Sequence, residues 1–216
     1  MERILIARGA GGERTQEIVD LARGRNVPLR FEPREALDRV ARGAVHQGVV
    51  ALGAAEKYAS LEDVLETAEL LVVLDGVEDP HNLGAILRTA HAAGAGAVLI
   101  PERRATGLTD TVAKAAAGAL AWMPVVRVTN LNRALEKLKE AGFWTYGLDE
   151  RGAQPLFGTD FAAKSAIVLG AEGHGLHQHL RDKCDFLLRI PMAGEVASLN
   201  VSVAAGLVLF EWRRTR

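Results

Sequence analysis

Apolar positions along the chain fall into short blocks, and between the blocks they recur at helical spacing. The blocks at residues 3–7, 28–32 and 48–52 read as strands. Ile18, Val19 and Ala22 carry helical spacing over residues 15–23, and Pro33 suits the first position of a second helix. From Leu70 onward strand-like blocks alternate with helical spacing, beginning with the continuous apolar run Leu70-Leu-Val-Val-Leu74. Further blocks follow at residues 97–100, 124–128, 144–148, 166–169 and 186–190. A continuous apolar run such as Leu70–Leu74 is expected of a strand buried on both faces. Helical spacing fills the gaps at residues 82–94, 109–117, 130–141, 176–183 and 199–213. Strands that alternate with helices predict an α/β fold, a parallel sheet with helices on both faces.

The pattern breaks once. Residues 54–69 hold Glu56, Glu62, Asp63, Glu66 and Glu69 against Lys57, with one polar helix at 60–68. The chain therefore divides into a small α/β domain at 1–53, a linker at 54–69 and a main domain at 70–216. The first part is short for a domain and buries little core alone. It starts abruptly on a strand, as if it lacked an opening element. Over the 216 residues, 49% hydrophobic and 25% charged content is ordinary for a globular protein, and the net charge of −1 does not announce a nucleic-acid binder. Charge distribution says more. Residues 1–53 carry nine arginines against seven acids, and the chain ends Arg213-Arg-Thr-Arg216. That fits a polyanion partner, and it also fits solvated helix faces. The single cysteine, Cys184, precludes a disulfide framework or a cysteine-based zinc site within one chain. No run reaches the roughly 18 apolar residues of a membrane span, and no leader is expected ahead of the first strand. A cytoplasmic protein is expected.

Three loops can carry chemistry, each following a predicted buried strand, where open α/β sheets bind ligands. The first is Asp79-Pro-His-Asn-Leu-Gly-Ala-Ile-Leu-Arg88. Asn82 reads as the N-cap of a helix. Arg88 lies one turn beyond Gly84, which leaves room for a ligand along the helix, and it offers a planar fork of donors suited to phosphate. A structural ion pair would explain Arg88 equally well. The second is Leu169-Gly-Ala-Glu-Gly-His-Gly-Leu176, whose glycines permit close approach of a ligand. Its spacing matches neither the dinucleotide fingerprint nor a P-loop, and Glu172 either meets a ligand or fixes the turn. The third is Ile190-Pro-Met-Ala-Gly-Glu-Val-Ala-Ser-Leu-Asn200, which runs into an almost wholly apolar helix. Ser198 and Asn200 stand at that junction, where they can serve a ligand or merely cap the helix. His174, His177 and His179 cluster in sequence, but metal ligation needs convergent geometry, and no metal site is expected. His91, three residues beyond Arg88, reads as a helix-surface position.

Together the three loops resemble the three signature motifs of the SpoU (TrmH-like) RNA ribose 2′-O-methyltransferases of the SPOUT superfamily. Asn82-Leu-Gly-Ala-Ile-Leu-Arg-Thr-Ala is similar to motif one, Val168-Leu-Gly-Ala-Glu-Gly-His-Gly-Leu to motif two, and Ile190-Pro-Met-Ala-Gly-Glu-Val-Ala-Ser-Leu-Asn-Val-Ser-Val-Ala to motif three. They arrive in the family's order and span the main domain. Asp79-Pro-His-Asn, Arg127-Val-Thr-Asn-Leu and His46-Gln-Gly further resemble the RlmB type, which methylates a guanosine of 23S ribosomal RNA. In that branch a small RNA-binding domain precedes the catalytic one.

The resemblance implies S-adenosylmethionine as cofactor, a C-terminal deep trefoil knot and a homodimer. It places Gly170, Ile190 and Leu199, with Met192 and Gly175, on the cofactor, and makes Asn82, Arg88, Glu172, Ser198 and Asn200 the polar active-site set. The sequence departs from the family's pattern in one place: its small domain is expected to lack the first strand and helix. A guanidinium loses its proton only at great cost, so Arg88 is expected to bind phosphate and stabilise a developing 2′-alkoxide rather than act as base. The expected activity is methyl transfer to a ribose 2′-hydroxyl of 23S ribosomal RNA. A tRNA target, or an RNA-binding assembly factor without catalysis, is the alternative.

Overall fold

A computed structural model describes residues 3–41, 43–52, 58–171, 175–195 and 198–216. The chain forms two compact units, Met1–Lys57 and Tyr58–Arg216. In the first, strand β1 (Arg3–Ala7) lies between β2 (Leu29–Glu32), parallel to it, and β3 (Val49–Leu52), antiparallel. Helix α1 (Glu13–Gly24) and helix α2 (Arg34–Ala41) connect them. The alternation of β1 decides what each face buries. Ile4 and Ile6 pack with Val19 and Ala22 of α1, while Leu5 and Ala7 pack with Leu37 of α2. His46 fastens the turn before β3: its Nδ1 accepts from the Gly48 N–H at 3.1 Å, so Nε2 carries the proton donated to Asp38 at 2.8 Å.

The second unit opens with helix α3 (Leu61–Thr67) and strand β4 (Leu70–Asp75). Helix α4 (Pro80–Ala93), β5 (Ala97–Pro101), α5 (Asp110–Ala115), β6 (Val125–Val128), α6 (Leu131–Glu140) and β7 (Trp144–Leu148) follow. The short strand β8 (Gln154–Pro155), β9 (Ser165–Gly170), helix α7 (Gln178–Arg181), β10 (Phe186–Arg189) and helix α8 (Val201–Arg214) complete it. Seven strands form one sheet in the order β6-β5-β4-β9-β7-β10-β8, and every ladder is parallel. β10, the last in sequence, is inserted between β7 and β8.

Leu70, Val72 and Leu74 of β4 face a core built with α4, α5 and α8, whereas Leu71 and Val73 face one built with α3, α6 and α7. Burial of alternate residues on opposite faces is why β4 is continuously apolar. No helix among the described residues is long and apolar enough to cross a membrane.

Two local expectations require correction. Helix α4 begins at Pro80, not at Asn82. Asp79 is its N-cap, accepting from the His81 N–H at 2.9 Å, and Pro80 takes the first helical position where no N–H is needed. Asn82 is thereby moved inside the helix and buried. Nor does Gly84 leave room for a ligand: a Cβ there would sit 2.4 Å from Ala115 Cβ and 2.8 Å from the Val112 carbonyl oxygen. The missing side chain lets α5 press against α4.

Candidate functional site

β9, β7 and β10 are adjacent and parallel, so their C-terminal ends open onto the same edge of the sheet. A cleft of about 860 Å³ lies there. The loop after β7 contributes Leu148, Asp149, Glu150 and Arg151; the end of β9 contributes Leu169, Gly170, Ala171 and Gly175. The chain at and after the end of β10 contributes Arg189, Ile190, Pro191 and Met192, and Ser198, Leu199, Val201 and Ala204 close it from the start of α8. A partly apolar concavity of this volume suits a cofactor-sized molecule.

Close backbone packing shapes the cleft. A Cβ on Gly170 would fall 2.0 Å from the carbonyl carbon of Gly175, so only glycine lets Gly175 lie against the end of β9. The Gly175 N–H donates to Ala171 O at 3.0 Å, with Gly175 at φ 64°. Asp75 at the end of β4 holds the chain just beyond. One carboxylate oxygen, Oδ2, accepts from both the backbone N–H and the Nδ1 of His177, each at 2.9 Å. Asp149 braces a second wall. It accepts from the Arg151 N–H at 2.9 Å and pairs with Arg181 of α7 at 3.6 Å. Arg189 spends its Nη1 on the carbonyls of Gly152 and Ala153, at 2.9 and 2.8 Å.

The first and third loops meet beside this cleft. Asn200 caps α8: its Oδ1 accepts from the Ser202 N–H at 2.9 Å and the Ser202 hydroxyl at 2.6 Å. That orientation turns Nδ2 toward Asn82, whose Oδ1 it meets at 3.0 Å. The first turns of α4 and α8 are thus joined by an amide–amide hydrogen bond.

Of the residues singled out in the sequence, Gly170, Gly175, Ile190, Met192, Leu199 and Ser198 line the cleft. Asn82 and Asn200 join behind it. Arg88 stands exposed on α4, does not line the cleft, and makes no ion pair among the described residues. Glu172 lies outside the described residues, as does His174. His177 is committed to Asp75 through Nδ1, and no group of three potential metal ligands gathers among the described residues. His91 is exposed in the last turn of α4. Cys184 packs under Gly147 of β7, and burial pushes its thiol up to about 12, which leaves it unreactive.

Sequence reading missed the β7 loop. The signal was present: Asp149-Glu-Arg-Gly152 follows a buried strand directly, as the other two loops do.

The chain matches the SpoU rRNA Methylase family over residues 69–210 and the family described as RNA 2′-O ribose methyltransferase substrate binding over residues 1–59. It is 47% identical to YacO of Bacillus subtilis (strain 168), a protein named for the TrmH family of tRNA/rRNA methyltransferases; the match covers 93% of this chain and 83% of that one. Identity to the 23S rRNA (guanosine-2′-O-)-methyltransferase RlmB of Neisseria meningitidis serogroup B is 44%, over 99% and 87% of the two chains. The crystal structure of an AdoMet-bound rRNA methyltransferase from Sinorhizobium meliloti superposes with a TM-score of 0.84 at 26% identity, covering 99% of this chain and 79% of that one. A parallel sheet with its cleft at β9, β7 and β10, two matched segments in one order, and relatives aligned over nearly the whole length lead to one assignment: the chain belongs to the SpoU rRNA methylase family.

Proposed function

We propose that this protein transfers a methyl group from S-adenosylmethionine to the ribose 2′-hydroxyl of a guanosine in 23S ribosomal RNA. The observation that carries the reading is the meeting of three loops: the second and third wall one cleft, and the first is tied to it through Asn82 and Asn200. The cleft fits the cofactor. Its walls offer backbone groups at Gly170, Ile190 and Leu199 for an adenosyl group, and the bare Gly170 lets the backbone of Gly175 pack into the wall of the cleft. S-adenosylmethionine would bring an electrophilic methyl on a sulfonium, which needs an aligned nucleophile more than a metal.

The chain's own residues supply that alignment. Gly170, Gly175, Ile190, Met192 and Leu199 hold the cofactor. Asn82 and Asn200 set the position of α4 against the third loop, and Ser198 orients the ribose at the cleft. Glu172 belongs to the same polar set. Arg88, exposed and without an ion pair among the described residues, binds the adjacent phosphate and stabilises the forming alkoxide. The proton leaves to water or to a neighbouring phosphate. The small domain, residues 1–53, contributes RNA affinity through its arginines, and residues 54–69 connect it to the catalytic domain at 70–216. A threaded, knotted C-terminal segment belongs to the same reading. It is supported by β10 inserted between β7 and β8, and by Gly152, whose missing Cβ lets it lie against the backbone of Leu188 and Arg189. The protein works in the cytoplasm as a homodimer.

The name of the Bacillus relative, which covers tRNA as well as rRNA, keeps a tRNA ribose as the second reading. The test is to map incorporation of a tritiated methyl group into unmodified ribosomal RNA and tRNA, with calorimetry of the cofactor alongside. Label in a 2′-O-methylguanosine of 23S RNA is the expected result. Label in tRNA only would move the assignment to the second reading, and an absence of cofactor binding would leave an RNA-binding assembly factor.

A further inference from the structure

A second feature of the same sheet edge is a braced, basic loop close to Gly76. A Cβ on Gly76 would meet Ala171, a cleft residue, at 3.3 Å. It would also meet the His177 ring at 3.9 Å and the Arg104 carbonyl at 4.0 Å. The loop between β5 and α5 is therefore about one side-chain layer from the cleft wall.

That loop is held at several points. The Glu102 N–H donates to Val128 O at 2.9 Å, and Arg127 Nη2 donates to Glu102 O at 3.2 Å. The Thr106 N–H reaches Val77 O at 3.3 Å, and the Leu108 N–H reaches the Tyr58 hydroxyl at 3.4 Å. Arg104 itself sits at φ 58°, a conformation a β-carbon disfavours and surrounding bonds must enforce. What this braced loop displays is Arg103 and Arg104, both exposed. Beside them stands His177, positioned by Asp75, with the His179 ring 5.7 Å from its own. Glu102 in the loop, Asp110 just after it and Glu78 next to Val77 are exposed acidic residues near it, and the Asp75 carboxylate is buried and occupied by His177. Presenting two guanidinium groups on a fixed loop lowers the ordering cost of gripping an anion, and planar forks suit phosphate.

We propose that residues 102–108, with Arg103 and Arg104 beside His177 and His179, form a second RNA-contact surface that binds backbone phosphates flanking the target ribose. The proposal rests on the RNA methyltransferase reading, since its ligand is the substrate of that reaction. Phosphate contacts of this kind fix register without reading sequence.

The full-length chain carrying Arg103→Ala and Arg104→Ala together is compared with wild type and with the Arg103→Lys, Arg104→Lys pair. The probe is an unmodified 23S RNA transcript, and the readouts are cofactor affinity, turnover and salt dependence of RNA binding. In the alanine pair the half-saturating RNA concentration should rise about tenfold, with cofactor affinity and maximal turnover within twofold of wild type. The slope of log affinity against log salt should become shallower by about 1.4, the value for two single-strand phosphate contacts. The lysine pair should recover most of the affinity. An RNA dependence equal to wild type overturns the surface, as does a parallel loss of cofactor affinity, which would mark the loop as structural. Wild-type protein that binds no cofactor defeats the methyltransferase reading itself. Binding and methylation by wild type with an unaffected alanine pair defeats only this surface.

Discussion

At the scale of single residues, the polar set divides by what each side chain already does. Asn200 is committed twice, to the start of α8 and to Asn82, whereas Arg88 stands exposed on α4. Removing Arg88 should therefore cost function and little structure. Arg88→Ala is expected to lower turnover by about 10²–10³, the usual loss for one electrostatic donor to a developing oxyanion. Calorimetry should find cofactor affinity within twofold of wild type. Turnover unchanged from wild type would exclude Arg88 from the chemistry. Glycines and loop positions were the most legible residues in the sequence, because a glycine run after an apolar block has few other uses. The cap of α4 was misread for a physical reason. Asn and Asp both cap helices, and Pro80 behind Asp79 was the deciding signal. The role of Gly84 was not legible, since whether the space beside a glycine belongs to a ligand or to another helix depends on tertiary packing.

Elements carry the next two predictions. Helices α4 and α5 approach closely because Gly84 has no side chain. Gly84→Ala forces a methyl into the backbone of α5 and should destabilise the unit by about 1–3 kcal/mol, enough to lower Tm by roughly 2–4 °C per kcal/mol. Thermal denaturation checks it, and a Tm equal to wild type would mean α5 can withdraw freely. At the other end of the unit, Glu211 of α8 accepts from Arg214 Nε at 2.9 Å and Nη2 at 2.8 Å, and from the Gly158 N–H at 2.8 Å. Hydrogen bonds from Arg214 and from the Gly158 backbone hold its carboxyl down to about 2, well below the ordinary 4.5 of a glutamate. A depressed carboxyl stabilises the fold above its unfolded pKa, and that contribution is lost as pH falls from about 4.5 toward 2. Glu211→Gln should thus lower Tm at pH 7, and the gap from wild type should narrow steadily below pH 4.5. A gap that stays constant with pH would show that the charge is irrelevant. The alternation of strands and helices was legible because apolar blocks and helical spacing are local. The insertion of β10 between β7 and β8 was not, because strand order is set by pairings between distant segments.

For the whole molecule, the telling element is α8. Its sequence is apolar nearly all round, which in one chain demands burial on every side. The fold buries Val201, Ala205, Val208, Leu209 and Trp212, yet Val203 and Phe210 remain 52% and 50% exposed. They are seven residues apart and share a face, so the apolar stripe is unfinished within one chain. A second copy of the chain is the occupant expected from the dimer reading. Arg88 bears on this, for it does not line the cleft of its own chain, and it lies on α4, which packs against α8. The double variant Val203→Glu, Phe210→Glu should run as a monomer in light scattering with an unchanged circular dichroism spectrum. If the dimer also places Arg88 for catalysis, the monomer should bind cofactor within threefold of wild type and lose at least about tenfold in turnover, a modest share of what misplaced reacting groups can cost. A dimeric mass for the variant would move the interface off α8. A monomer with full turnover would show that each chain assembles its own complete site, and Arg88 would then have to reach its phosphate from the α4 surface of the same protomer.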